Sequence, residues 1–117
     1  MAAFGAREIV LDAARHDRLV AWSSHLPQLA STALASVIGE HAPDAATVAG
    51  PGLLDATRLA MSSFDLWRDI LATNGGEVAA ALDAYIEKLK ALRSDFEVEF
   101  RQGGEFARLL REPVNTD

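Results

Sequence analysis

The chain has no cysteine, one tyrosine and four prolines among its 117 residues, and cations are its scarcer charge, 11 Lys and Arg against 17 Asp and Glu. Without thiols there is neither a disulfide framework nor a thiolate metal site. The formal net charge of -6 argues against nucleic-acid backbones and anionic membrane surfaces, which would repel it, and the few basic residues are scattered rather than massed. No apolar run approaches the roughly 18 residues of a membrane span. The opening Met1-Ala2-Ala3-Phe4-Gly5-Ala6-Arg7-Glu8 lacks the basic-then-apolar layout of a secretory signal. These absences predict a cytoplasmic protein whose partners include no nucleic acid and no membrane.

Nucleotide and hydrolase signatures are also missing. The sole Gly-x-Gly is Gly50-Pro51-Gly52; it follows no strand, and Asp55 stands at the third glycine position, where a carboxylate would oppose a pyrophosphate. There is no phosphate-binding Gly-x-x-x-x-Gly-Lys loop, no Gly-x-Ser-x-Gly elbow and no His-Glu-x-x-His. The expectation is that this chain by itself binds no nicotinamide cofactor and holds no complete catalytic set.

Half the residues are hydrophobic, enough for one compact domain with a modest core and too few for two. Alanine is abundant and apolar residues recur at intervals of three and four, which predicts an all-α fold. Only Glu8-Ile9-Val10-Leu11 looks extended. Asp12 suits the N-cap of a first helix over 13–39, kinked at Pro27. Residues 40–51, with Pro43, Gly50 and Pro51 and with Gly52 just beyond, read as a loop. A helix of about ten residues comes next, then a short one carrying Leu66, Trp67, Ile70 and Leu71. Asn74 and Glu77 have the spacing of a capping box that would open the longest helix, 77–102. On it Val78, Leu82, Tyr85, Leu89, Leu92, Phe96 and Phe100 form one apolar stripe. Gly103-Gly104 is expected to break the chain before a last helix over 105–111, with a tail from Pro113 onward.

Two segments place polar groups inside apolar helical patterns. His25 lies nine residues after His16, so on an ideal helix the two rings point about 180° apart and share no metal. Taken alone, a histidine in such a place is more often a hydrogen-bonded structural residue than a functional one. Arg58 follows Asp55 by three residues. The ordinary account is a local ion pair on a solvated face; the functional account is a guanidinium fork aimed at a carboxylate, with Asp55 orienting it in either case. Trp67 and Asp69 have the ordinary explanation of core aromatic and surface charge, and Trp22 and Tyr85 are assigned to packing.

In order along the chain stand His16-Asp17, then Ser24-His25-Leu26-Pro27, then Gly52-x-x-Asp55-x-Thr57-Arg58-Leu59-Ala60, then Trp67-x-Asp69-Ile70 and Asn74. As a set these resemble the C-terminal helical domain of prephenate and arogenate dehydrogenases, a dimerisation domain similar to those of 6-phosphogluconate-dehydrogenase-like enzymes. The motifs cover residues 4–76, and the long C-terminal helices fit the same architecture. The helical domains of other 3-hydroxyacid-type dehydrogenases fit less well, because the Ser-His-Leu-Pro and Asp-x-Thr-Arg pair is not expected there.

The resemblance implies an NAD- or NADP-dependent parent enzyme of tyrosine biosynthesis, performing oxidative decarboxylation. An N-terminal Rossmann domain, absent from this chain, would bind the cofactor and carry the histidine that polarises the substrate hydroxyl, so no catalytic residue is expected here. The layout implied is a linker over 1–12, at whose Phe4-Gly5-Ala6 relatives leave the Rossmann domain, a helical domain over 13–112 and a tail over 113–117. By the same analogy Arg58 matches the arginine that holds a substrate carboxylate, and His25 belongs to the histidine motif lining the cleft. Gln28 stands where many relatives carry a second histidine tied to substrate; it hydrogen-bonds but cannot become cationic, which leaves prephenate against arogenate open. Ser24, Asp55 and Trp67 are supporting positions, and His16-Asp17 a structural or interdomain pair. The implied partners are a second copy in a homodimer, the Rossmann domain and the small-molecule substrate. The rival reading is a stand-alone, non-catalytic dimerisation or regulatory module.

Overall fold

In the computed structural model, residues 12–113 are described. The extended look of Glu8-Ile9-Val10-Leu11, the linker and almost all of the tail lie outside the described residues. Among those described there are six α-helices and no strand. They are α1 (Ala13–Val20), α2 (Leu26–His41), α3 (Pro51–Thr57), α4 (Phe64–Thr73), α5 (Gly75–Ser94) and α6 (Phe96–Leu110). None is long and apolar enough to cross a membrane.

The expected helix over 13–39 is present to His41, but its irregularity is a π segment, Ala21–His25, inserted between α1 and α2. Pro27 lies just beyond it. A proline lacks the N–H for the i-4 bond and its ring crowds the carbonyl one turn back, so the preceding turn widens instead of simply bending. The widened turn sets which face of α2 points inward. Ala21, His25, Gln28 and Ser31 are the buried residues of this stretch, spaced four, three and three. Trp22, expected to pack, is instead 47% exposed.

Residues 14–82 form one compact unit. Within it the expected loop after α2 contains a 3₁₀ turn, Pro43–Val48, and α3 passes directly into a second one, Arg58–Met61. Both α3 and this second turn lie against α2. Ser63 caps α4 by accepting the Asp65 amide at 3.1 Å. The expected Asn74–Glu77 capping box is replaced: α5 already begins at Gly75, and the Asn74 side chain is drawn away to residues of the first helical stretch.

The described residues from 83 onward belong to a second unit. Here the single helix expected over 77–102 is two. The break falls at Asp95, not at Gly103-Gly104: Asp95 is extended, its carboxylate accepts the Val98 amide at 3.2 Å, and Glu97 and Glu99 complement the new N-terminus of α6. Lys88 and Glu99 then pair at 2.7 Å, joining α5 to α6. Both glycines lie inside α6, where their cost of roughly 1 kcal/mol each relative to alanine does not stop a well-capped helix. The stripe is consequently divided, and Phe96 and Phe100 are exposed.

Candidate functional site

The buried polar residues among those described are His25, Gln28 and Ser31, at 7%, 6% and 5% exposure. Three polar groups on one inward helix face need partners, since an unpaired buried donor or acceptor costs about 1–3 kcal/mol. Each finds them in a different place.

Ser31 donates to the Ala56 carbonyl at 2.8 Å and accepts from the Ala60 amide at 3.1 Å. Gln28 donates to the Leu59 carbonyl at 2.8 Å and to Thr32 Oγ1 at 3.1 Å. The three bonds to backbone therefore bracket Arg58, two residues before it, one after and two after. Thr57 adds a local tie to the Leu53 carbonyl at 2.8 Å. Arg58 itself is exposed and takes part in none of the ion pairs formed among the described residues. The expected Asp55–Arg58 pair is not formed; both side chains are exposed, where such a pair contributes at most about 1 kcal/mol. The outcome is a guanidinium left available on a backbone pinned from α2, able to hold a carboxylate by two parallel hydrogen bonds.

His25 belongs to a second cluster. Its ring meets Trp67 edge-on, with centroids 5.8 Å apart and planes at 87°. Asn74 Nδ2 lies 3.4 Å from His25 Nδ1 and donates to the Asp17 carbonyl at 2.8 Å. Trp67 is half-buried, and its indole N–H is sealed from solvent with no hydrogen-bond partner among the described residues. Asp17 thus contributes through its backbone; its side chain is exposed, 3.9 Å from that of His16. Ser24 and Asp69 are exposed. No group of His, Asp and Glu among the described residues could hold a metal ion.

Arg58 and His25 are thus placed by the residues their motifs flank, whereas Ser31 and the tertiary role of Asn74 carry no sequence signal of their own. Their partners are backbone carbonyls and amides 25 to 57 residues away.

Residues 12–112 match the family described as prephenate dehydrogenase, dimerization domain. A cyclohexadienyl dehydrogenase of Zymomonas mobilis is 32% identical over 94 residues, 77% of this chain and 32% of that protein. A probable prephenate dehydrogenase of Streptomyces niveus is 32% identical over 93 residues, 79% of this chain and 26% of its own length. Among solved structures, Synechocystis arogenate dehydrogenase superposes with a TM-score of 0.69 at 29% identity, covering 92% of this chain and 40% of that one. The chain spans about a third or less of the curated relatives it matches.

Proposed function

The chain belongs to the family of prephenate dehydrogenase dimerization domains, and from that premise we propose that it is the helical part of an NAD(P)-dependent prephenate or arogenate dehydrogenase. In this reading it supplies the homodimer interface and the groups that hold the substrate, and the nicotinamide is bound outside this chain. The residues here do not suit the cofactor: Gly50-Pro51-Gly52 leads into α3 without a preceding strand, and Pro51 offers no amide to a pyrophosphate.

The observation that carries the reading is Arg58, exposed and without an ion-pair partner among the described residues, on a backbone fastened at Ala56, Leu59 and Ala60. Three part-buried hydrogen bonds from α2 hold the backbone on either side of it. We assign Arg58 to a substrate carboxylate and His25 to the same cleft, with Trp67 and Asn74 behind it. Gln28 already donates to Leu59 and Thr32, so toward a ligand it can act only through its amide oxygen, as an acceptor. Ser24, Asp55, His16 and Asp17 keep supporting roles at the exposed margin.

The test is Arg58→Ala in the complete enzyme carrying this domain. Truncating one partner of a charged, hydrogen-bonded pair costs about 2–5 kcal/mol, so KM for prephenate or arogenate should rise by roughly 30-fold or more. An unchanged KM would remove Arg58 from the site and favour a non-catalytic dimerisation module.

A further inference from the structure

We propose that Asn74 is a positioning residue that holds His25 in one tautomer, Nδ1 bare and Nε2 protonated, so that the ring meets a ligand as a hydrogen-bond donor. The Asp17 backbone carbonyl can only accept, so the Asn74 atom 2.8 Å away is the amide nitrogen and the orientation of that amide is determined. The same NH₂ group lies 3.4 Å from His25 Nδ1. A proton on Nδ1 would set N–H against N–H; a lone pair there accepts the second amide hydrogen.

Turning the ring over would replace Nδ1 by a carbon and leave Asn74 without its acceptor, while the perpendicular Trp67 ring and the burial of His25 oppose free rotation. The remaining proton of the neutral imidazole therefore sits on Nε2, which has no hydrogen-bond partner among the described residues. That nitrogen suits an oxygen acceptor, a carboxylate or carbonyl, and disfavours an ammonium, which has only protons to offer. The tautomer stands on the geometry alone; its consequence for substrate recognition rests on the placement of His25 in the substrate cleft proposed above.

The deciding measurement is a long-range ¹⁵N–¹H correlation spectrum of the protein labelled at histidine, about two pH units above the ordinary histidine value of ~6.5. His25 is assigned by removing the other two rings in turn with His16→Gln and His41→Gln. The expected His25 pattern is a protonated Nε2 and a bare Nδ1, against averaged patterns for the exposed His16 and His41. A His25 ring averaged like those two, or protonated on Nδ1, overturns the proposal.

Asn74→Asp substitutes a pure acceptor and should move the proton to Nδ1; an unmoved proton overturns the role of Asn74. Where Asn74→Asp does not fold, Asn74→Ala decides the point, with an averaged ring expected and an unchanged Nε2–H overturning it. In the complete enzyme Asn74→Asp should raise KM about tenfold with kcat held within about twofold. If His25→Ala leaves KM unchanged, the substrate-contact reading fails while the spectrum still decides the tautomer.

Discussion

Ser31 does with one hydroxyl what two residues would otherwise do, donating to Ala56 and accepting from Ala60. Ser31→Ala leaves both backbone groups without their partner, so chemical denaturation should show a loss of about 1–3 kcal/mol. Because those groups flank Arg58, the same substitution in the complete enzyme should raise KM, and adding it to Arg58→Ala should raise KM no further. Fully additive effects would mean that Ser31 stabilises the fold without setting Arg58. The residues proposed to bear on ligands, His25 and Arg58, were legible because they stand in recognisable motifs. Ser31 was not, nor was the tertiary role of Asn74 although it stood in the motif set, because each answers to a backbone group brought near by folding. A capping box was the only local use the sequence offered for Asn74, and a stronger tertiary partner displaced it.

At the level of elements, one boundary moved because a capped turn overrode a residue type that usually breaks helices. Asp95 ends one helix and caps the next although two glycines stand eight and nine residues further on. Asp95→Ala should therefore destabilise the protein by about 1 kcal/mol, read as a lower denaturation midpoint. Gly103→Ala should act in the opposite sense, by about 0.5–1 kcal/mol, because nothing lies within 4 Å of the added methyl group. Gly104→Ala should help less, since its methyl group would meet the Arg108 guanidinium at 3.3 Å and must displace it. Near Pro27 the order is reversed in kind: a residue expected to bend a helix widens the turn before it, and the buried polar face of α2 begins there.

On the scale of the whole molecule, the only buried hydrophobic residues among those described are Ala21 and Ala81, and no large side chain among them is fully enclosed. Phe64, Leu66 and Met61 in one unit, and Phe96, Phe100, Phe106 and Leu110 in the other, are all more than half exposed. Burying one such side chain fully contributes on the order of 1.5–3 kcal/mol, against a total of about 5–15 kcal/mol for an ordinary domain. Covering several of them therefore contributes on the scale of a domain's whole stability, which is how a dimerisation domain can keep so small a core. Light scattering at micromolar concentration should give the mass of a dimer, and Tm should rise with protein concentration; a monomeric mass with a constant Tm would contradict the proposed homodimer. The sequence by itself determined the helical class and the family, because alanine content, apolar spacing and the ordered motifs are local properties of the chain. Only the tertiary structure decided where helices end, that Arg58 stands apart from Asp55, and which groups satisfy His25, Gln28 and Ser31. A buried polar atom takes its partner from whatever backbone the fold brings within hydrogen-bonding distance, and no pattern of residue types along the chain records which backbone that is.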